Sequence, residues 1–252
     1  MAVFKFKDLS GRYALVTGSS SGIGRATCEA LLSQGSIVFG VAIDQSEEER
    51  STNFVPVRGD LSDPRDIRSA FEKVLLETDQ LDYVANIAGI SAKYSLADGD
   101  ETKWHELIDL NLRGYYLVVR EALPLLRKGS GRSIVNVSSI NYRLGVPRRS
   151  IYSISKAGIL GLTTGLAREL GSEGIRINSI SPGWVFTERE IAEYFTRSQD
   201  RSKYLKKLRE SQAIDREISP EDIANHILFY LSDASAASTG HNCVVDGGWL
   251  LE

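Results

Sequence analysis

The stretch "TGSSSGIG", Thr17 to Gly24, decides how the rest of the chain is read. It follows the apolar run Tyr13–Thr17 directly and opens a stretch of helical period, Ala26–Leu32. Glycine spacing alone is a weak signal, and its place between a strand and a helix strengthens it. Glycines let the chain turn tightly and let the backbone come close to a pyrophosphate. The helix that follows offers free N–H groups and the positive end of its dipole. A Gly-Lys-Ser/Thr phosphate loop is excluded, because Arg25-Ala26 follows Gly24. The stretch reads as a dinucleotide cradle, with Gly18, Ser20, Ser21, Gly22, Ile23 and Gly24 as the contact residues.

Working outward, short apolar or β-branched runs recur at Tyr13–Thr17, Ile37–Ile43, Phe54–Val57, Tyr83–Asn86, Ser133–Val137, Arg176–Ile180 and Asn242–Val245. Helical periods separate most of them, clearest at Ala26–Leu32, Ile67–Leu76, Trp104–Leu126, Ala157–Leu170 and Ile223–Leu231. Alternation of this kind predicts an α/β fold: a doubly wound parallel sheet of about seven strands with helices on both faces. One such sheet uses the whole chain, so 1–252 is read as a single domain. Only Asp44–Asn53 lies between the second and third runs, room for a stunted helix. The charged segment Phe186–Ile214 is inserted where ligands sit in such sheets, which makes 186–214 a candidate lid.

The second run ends at Asp44, 20 residues after Gly24. An acidic residue there is placed to hydrogen-bond the adenosine ribose and to repel a 2′-phosphate. Glu47, Glu48 and Glu49 add negative charge, and Ser21, before Gly22, offers no cation. The expected cofactor is therefore NAD, with Arg25 the one counterweight. In "GDLSDP", Asp60 and Leu61 fall where adenine would lie, and Asp63-Pro64 reads as a helix start. "NIAG" ends the fourth run and places Asn86, Ala88 and Gly89 beside the cofactor.

Bulk properties narrow the classes. A chain of 252 residues with a net charge of −3 lacks the basic excess of a nucleic-acid or membrane surface. Cys28 and Cys243 match no metal or redox spacing, and His105, His226 and His241 are scattered. No apolar run has the length of a bilayer span, and the first residues lack a signal-peptide core. The expectation is a cytoplasmic protein with no metal, no nucleic acid and no membrane partner.

The chemistry comes from "SIYSISK", Ser150 to Lys156. Tyr152 and Lys156 are four residues apart, which puts them on one helical face. "TGSSSGIG", "NIAG", "NLRG" (Asn111–Gly114), "NVSS" (Asn136–Ser139), "YSISK" and "SPGWVFT" (Ser181–Thr187) occur in this order. Together, and over essentially the whole chain, they resemble the short-chain dehydrogenase/reductase family, whose fold is Rossmann-like. One departure is Ile87, where the family often has a second asparagine.

The resemblance implies a catalytic set of Asn111, Ser139, Tyr152 and Lys156. Tyr152 would move the alcohol proton. Working near pH 7 needs its pKa lowered by about 3 units, or about 4 kcal/mol. A Lys156 ammonium about 4 Å away supplies about that much at an effective dielectric near 20. Lys156 would also bind the nicotinamide ribose, and Tyr152 too lies against the cofactor. Ser139 would stabilise charge on the substrate oxygen, and Asn111 would hold a relay water. Pro182, Gly183, Val185 and Thr187 would place the nicotinamide carboxamide.

Arg148 and Arg149 precede Tyr152, and Arg143 and Arg189 are candidates for the same cleft. Arginine forks bind carboxylates, so the substrate is read as anionic. The expected substrate contacts are Ser91, Ser139, Asn141, Arg148, Arg149, Tyr152, Trp184 and Arg189, a set that suits a polyhydroxylated ligand. "SPGWVFTERE", the charged lid and the final "DGGW" are similar to family members that oxidise sugars and sugar acids. The sharpest expectation is a 2-keto-3-deoxy-L-sugar acid such as 2-keto-3-deoxy-L-fuconate. An aldose 1-dehydrogenase comes second and a 3-ketoacyl thioester reductase third. A non-catalytic NAD sensor or scaffold is the non-enzyme alternative. The resemblance also implies a homotetramer, with Trp104–Leu126 and Ile151–Leu170 in one interface and Asp246–Glu252 in another.

Overall fold

All seven apolar runs form strands: β1 Tyr13–Thr17, β2 Ile37–Ala42, β3 Phe54–Arg58, β4 Tyr83–Asn86, β5 Ser133–Val137, β6 Arg176–Pro182 and β7 Asn242–Val245. The structure is a computed structural model that describes residues 5–197 and 201–251. The strands lie in one sheet in the order β3-β2-β1-β4-β5-β6-β7, every neighbouring pair parallel. The winding reverses between β1 and β4, which opens a crevice at their carboxyl ends.

The helices are α1 Gly22–Ser33, α2 Pro64–Glu77, α3 Glu101–Ile108, α4 Gly114–Leu126, α5 Asn141–Leu144, α6 Ser150–Leu170, α7 Glu188–Arg197, α8 Arg201–Ser211 and α9 Pro220–Leu231. Successive strand residues point to opposite faces, so the sheet builds two cores. Leu15, Phe39 and Val84 pack with Ile67 and Phe71 of α2 and Val118 and Leu125 of α4. Ala14, Val16 and Val38 pack on the other side with Cys28 and Leu31 of α1 and Ile223 and Ile227 of α9. The expected doubly wound α/β fold, helices on both faces, is the observed one.

Local chemistry sets the element ends. Asp63 caps α2 by accepting from the Arg65 N–H at 2.8 Å, and Pro64 takes the first helical position, where it has no N–H to lose. At the amino rim of the sheet, the buried Asp82 carboxylate accepts from the N–H groups of Tyr13, Ser130 and Gly131 at 2.8–3.0 Å. That clamps β1, β4 and the turn into β5 together. The link from β2 to β3 holds only a single 3-10 turn, Glu47–Glu49, as its length requires.

Two features differ from the sequence expectation. The second strand ends at Ala42, so Asp44 stands two residues beyond it in a turn. The long helix expected over Trp104–Leu126 starts at Glu101 and is interrupted by a π turn, Asp109–Arg113, in which the Gly114 N–H reaches the Asp109 carbonyl. Hydrophobic period cannot register that insertion. Its cause is tertiary: Asn111 bonds the Ile90 backbone in both directions, its Oδ1 accepting at 2.9 Å and its Nδ2 donating at 3.0 Å. Single π turns recur at functional sites.

The segment 186–214 forms α7 and α8, with 198–200 outside the described residues. Its two ends are tied down. The Phe186 N–H donates to the Ile218 carbonyl at 2.8 Å, and the Ala213 N–H to the Gly247 carbonyl at 2.8 Å. Among the described residues no helix is long and apolar enough to cross a membrane. Residues 1–4 and Glu252, parts of the domain and of the expected C-terminal interface, lie outside the described residues.

Candidate active site

A cavity of about 610 Å³ opens at the carboxyl ends of β1, β2, β3 and β4. Gly18, Ser20, Ser21, Gly22, Ile23 and Gly24 line one wall; Asp44, Asp60 and Leu61 line the next; Ala88, Gly89 and Thr187 complete it. The glycines are required by space. Gly18 and Gly22 have φ of +71° and +51°, a region that favours glycine. A Cβ on Gly24 would lie 1.9 Å from the Gly18 carbonyl oxygen. Ser21, at the N-cap of α1, makes no side-chain cap, so its loop leaves the first N–H groups of the helix to a ligand. The cradle fits a dinucleotide pyrophosphate, and the exposed Asp44 is placed for the ribose. When bound, a nicotinamide supplies or accepts the hydride.

Beyond Gly89 lies the reactive end. A Cβ on Gly89 would sit 3.0 Å from Asn111 Oδ1 and 3.5 Å from Lys156 Nζ. This glycine therefore brings Asn111, on the π turn, and Lys156, on α6, to one point. The Lys156 side chain is buried, and its ammonium donates to the Val137 carbonyl at 2.9 Å. It lies 5.9 Å from the Tyr152 ring centre and 5.5 Å from that of Tyr115. The Asn111 amide is spent on Ile90 and on Ser155 Oγ, at 3.2 Å, so its side chain has little left for a relay water. The Ser139 hydroxyl accepts from Asn141 Nδ2 at 3.1 Å and bonds the Tyr152 hydroxyl.

The electrostatics differ from the simple lysine argument. Burial alone pulls the Lys156 pKa from its usual 10.5 down to about 7. Burial also raises Tyr152 above its ordinary value; a hydrogen bond from Ser139 and the charge of Arg149 oppose that rise, and Glu190 adds to it. Both groups are pushed toward neutrality. A fully charged lysine beside the phenol would lower its pKa; stripped of water and pulled toward neutrality, Lys156 leaves Tyr152 above its ordinary value.

A second cavity of about 530 Å³ adjoins the first at Gly89 and Thr187. Ser91, Arg148, Arg149 and Arg189 line it, as expected, together with Lys93 and Glu190. Arg148 pairs loosely with Asp98, at 3.5 Å, both exposed. Arg149 donates to Ser91 Oγ at 2.6 Å and lies over the Tyr152 ring, 5.7 Å from its centre. Arg143, on α5, is not in the lining of either cavity.

Several expected contact residues stand behind the cavities instead. Asn86 is buried and donates to Asn136 Oδ1 at 3.0 Å, which braces β4 against β5. Pro182 is the last residue of β6, and Gly183 lies against Asp246, where a Cβ would come within 2.7 Å of Asp246 Cα. Val185 pairs with Ile218. The Trp184 indole donates to Glu190 at 2.7 Å and its ring meets Trp249. Ile87 packs into the core, and Thr17 Oγ1 accepts from the N–H groups of Ile87 and Ala88 at 2.8 and 3.1 Å, so the "NIAG" loop is held without a second asparagine.

Lys93 and Glu190 were not picked out by the motifs. Each follows a strand's carboxyl end, β4 for Lys93 and β6 for Glu190, and that position is the signal that could have found them.

The chain matches the family described as enoyl-(acyl carrier protein) reductase over residues 18–250. It is 33% identical over 253 residues to the probable galactose dehydrogenase GalD of Rhizobium meliloti, covering 97% of each chain. It is also 33% identical over 257 residues to the 3-oxoacyl-(acyl-carrier-protein) reductase FabG of Thermotoga maritima, covering 96% of this chain and 99% of that one. The structure of L-sorbose reductase from Gluconobacter frateurii, complexed with NADPH and L-sorbose, aligns with a TM-score of 0.90 at 28% identity, over 97% of this chain and 99% of that chain. The fold, the cradle and these similarities define a nicotinamide-dependent oxidoreductase. The chain belongs to the short-chain dehydrogenase/reductase family.

Proposed function

We propose that this enzyme oxidises a secondary alcohol on a sugar acid, with NAD as acceptor and Tyr152 as general base. The observation that carries the acid is the lining of the second cavity. Lys93, Arg148, Arg149 and Arg189 face it against a single Glu190. A concave site with that balance attracts an anion, and the arginine forks match a carboxylate. Hydroxyl-bearing Ser91 and Thr187 suit a polyol. The best substrate candidate is a 2-keto-3-deoxy-L-sugar acid such as 2-keto-3-deoxy-L-fuconate. In this reading α7 and α8 are the lid of the mouth.

Asp44 and Glu47 to Glu49 support NAD over NADP; NADPH in the sorbose reductase complex is the observation on the other side. The homotetramer implied by the family finds support in Tyr116 on α4 and Ile154 on α6, each 47% exposed despite being apolar. The likeness to galactose dehydrogenase favours a second reading, oxidation of a neutral aldose to its lactone.

Reduced-nicotinamide formation separates the readings. Neutral aldoses, their aldonates and 2-keto-3-deoxy aldonates are each assayed with NAD and with NADP. Turnover confined to the acids, and weakened by Arg148→Ala mainly through KM, is expected. Turnover on neutral aldoses that ignores Arg148→Ala would select the lactone-forming reaction. NAD binding without turnover on any alcohol would make the protein a sensor.

A further inference from the structure

We infer that Tyr152 is poised by two opposite charges in the wall of the second cavity, Arg149 at the start of α6 and Glu190 on α7, which act as positioning residues for the base. The inference rests on the reading of Tyr152 as that base.

The geometry is specific. Arg149 is the N-cap residue of α6, three residues before Tyr152, and its guanidinium lies over the phenol ring, 5.7 Å from the centre. It is not a loose surface cation: Ser91 Oγ accepts from it at 2.6 Å and holds it across the mouth. Glu190 stands in the wall of the same cavity. Its carboxylate accepts from the Trp184 indole at 2.7 Å, and its N–H donates to Thr187 Oγ1 at 3.2 Å. Both charges are therefore fixed, one by β4's loop and one by the segment after β6.

Their signs are opposite and their effects on the phenol oppose. Arg149 favours the phenolate and Glu190 disfavours it. Lys156, 5.9 Å from the ring centre, and Tyr115 from α4 also lie against Tyr152, and Lys93, Arg148 and Arg189 line the same cavity as Arg149 and Glu190. Burial holds Lys156 near half-protonation at neutral pH, and it pushes Tyr115 far up, to the neutral form. Among the described residues Arg149 is the permanent cation seen over the Tyr152 ring, because a guanidinium does not titrate in this range. Glu190 stands on α7, so the segment after β6 carries the opposing charge.

A paired pH profile tests this. Alcohol oxidation needs the phenolate, so its rate rises with pH through the Tyr152 pKa. Losing a cation near 6 Å at an effective dielectric of 20 is worth up to about 2 pH units, and solvent screening cuts that to about 1. Arg149→Gln is expected to move the rising limb of kcat/KM up by about 1 pH unit, close to a tenfold loss below the limb. Glu190→Gln keeps the shape and an acceptor for Trp184, and is expected to move the limb down by about half a unit. Arg149→Lys keeps the charge and is expected to restore most of the limb.

Reading the limb in kcat as well as in kcat/KM separates a shift of the base from weaker binding of the substrate's charge, because Arg149 also lines the cavity. The ultraviolet phenolate absorbance of the cofactor-free enzyme, taken as a difference against Tyr152→Phe, reads the same shifts without turnover. Limbs that stay in place, or move in the same direction for Arg149→Gln and Glu190→Gln, overturn the inference. Turnover that survives Tyr152→Phe overturns instead the reading of Tyr152 as the base.

Discussion

Arg176 and Lys156 are both cations drawn into the protein at opposite rims of one sheet, and the difference between them separates structure from function. Arg176 opens β6 at the amino rim. Its guanidinium donates to the carbonyls of Tyr230, Leu231 and Ser232 at 3.0–3.2 Å and to Ser235 Oγ at 2.9 Å. It caps the carboxyl end of α9, where free carbonyls and the negative dipole end lie. Lys156 lies at the carboxyl rim and, among the described residues, its three donors have one hydrogen-bond acceptor, the Val137 carbonyl. Burial lowers the pKa of both. One burial is repaid by hydrogen bonds. The other leaves a strained group beside the cofactor cavity, where perturbed pKa values cluster at working sites.

The same contrast runs along the rims. Asp82, wholly buried at the amino rim, has its carboxylate filled by backbone N–H groups. At the carboxyl rim Asn86 Oδ1 and Asn141 Oδ1 are buried without a partner. Unsatisfied polar atoms cost about 1–3 kcal/mol each. Among the described residues they lie at the carboxyl rim, apart from Gln212 Oε1 at the end of the segment 186–214.

Substitutions can break this comparison. The largest effect is expected from Lys156→Met on turnover. At pH 6, where Lys156 is mostly protonated, its charge beside the phenol is worth up to about 3 kcal/mol, so kcat there is expected to fall about a hundredfold, with the fold retained. Steady-state kinetics beside circular dichroism reads both. Next comes Arg176→Met, which strips several carbonyls of their donor at once. A loss of about 2–3 kcal/mol of stability is expected with kcat close to wild type, read by urea unfolding.

The fold was legible because parallel strands buried on both faces read as apolar runs, and runs such as Ile37–Ala42 and Ser133–Val137 alternate with stretches of helical period. The cradle was legible because Gly18, Gly22 and Gly24 answer to backbone geometry, which a sequence displays directly. Tyr152 and Lys156 were legible by their helical spacing. What the sequence hid was tertiary. Nothing in the pattern around Asn111 shows a π turn whose cause is the backbone of Ile90. The low pKa of Lys156 comes from the packing that surrounds it, and the stacking of Arg149 on Tyr152 depends on Ser91, 58 residues away.

The most direct test is the stability of Lys156→Met against wild type as a function of pH. Folded Lys156 releases its proton near pH 7, whereas in the unfolded chain it does so near 10.5. Between those values the unfolded chain binds the extra proton, so this lysine's penalty is full below pH 7 and fades as pH rises. The shift corresponds to a few kcal/mol, offset by about 1 kcal/mol for the lost bond to Val137. The account predicts that Lys156→Met is the more stable protein at pH 6 by about 2–4 kcal/mol, with the gap closing toward pH 10. A variant less stable than wild type at every pH would mean that Lys156, like Arg176, is a structural cation, and the distinction between the two rims would fail.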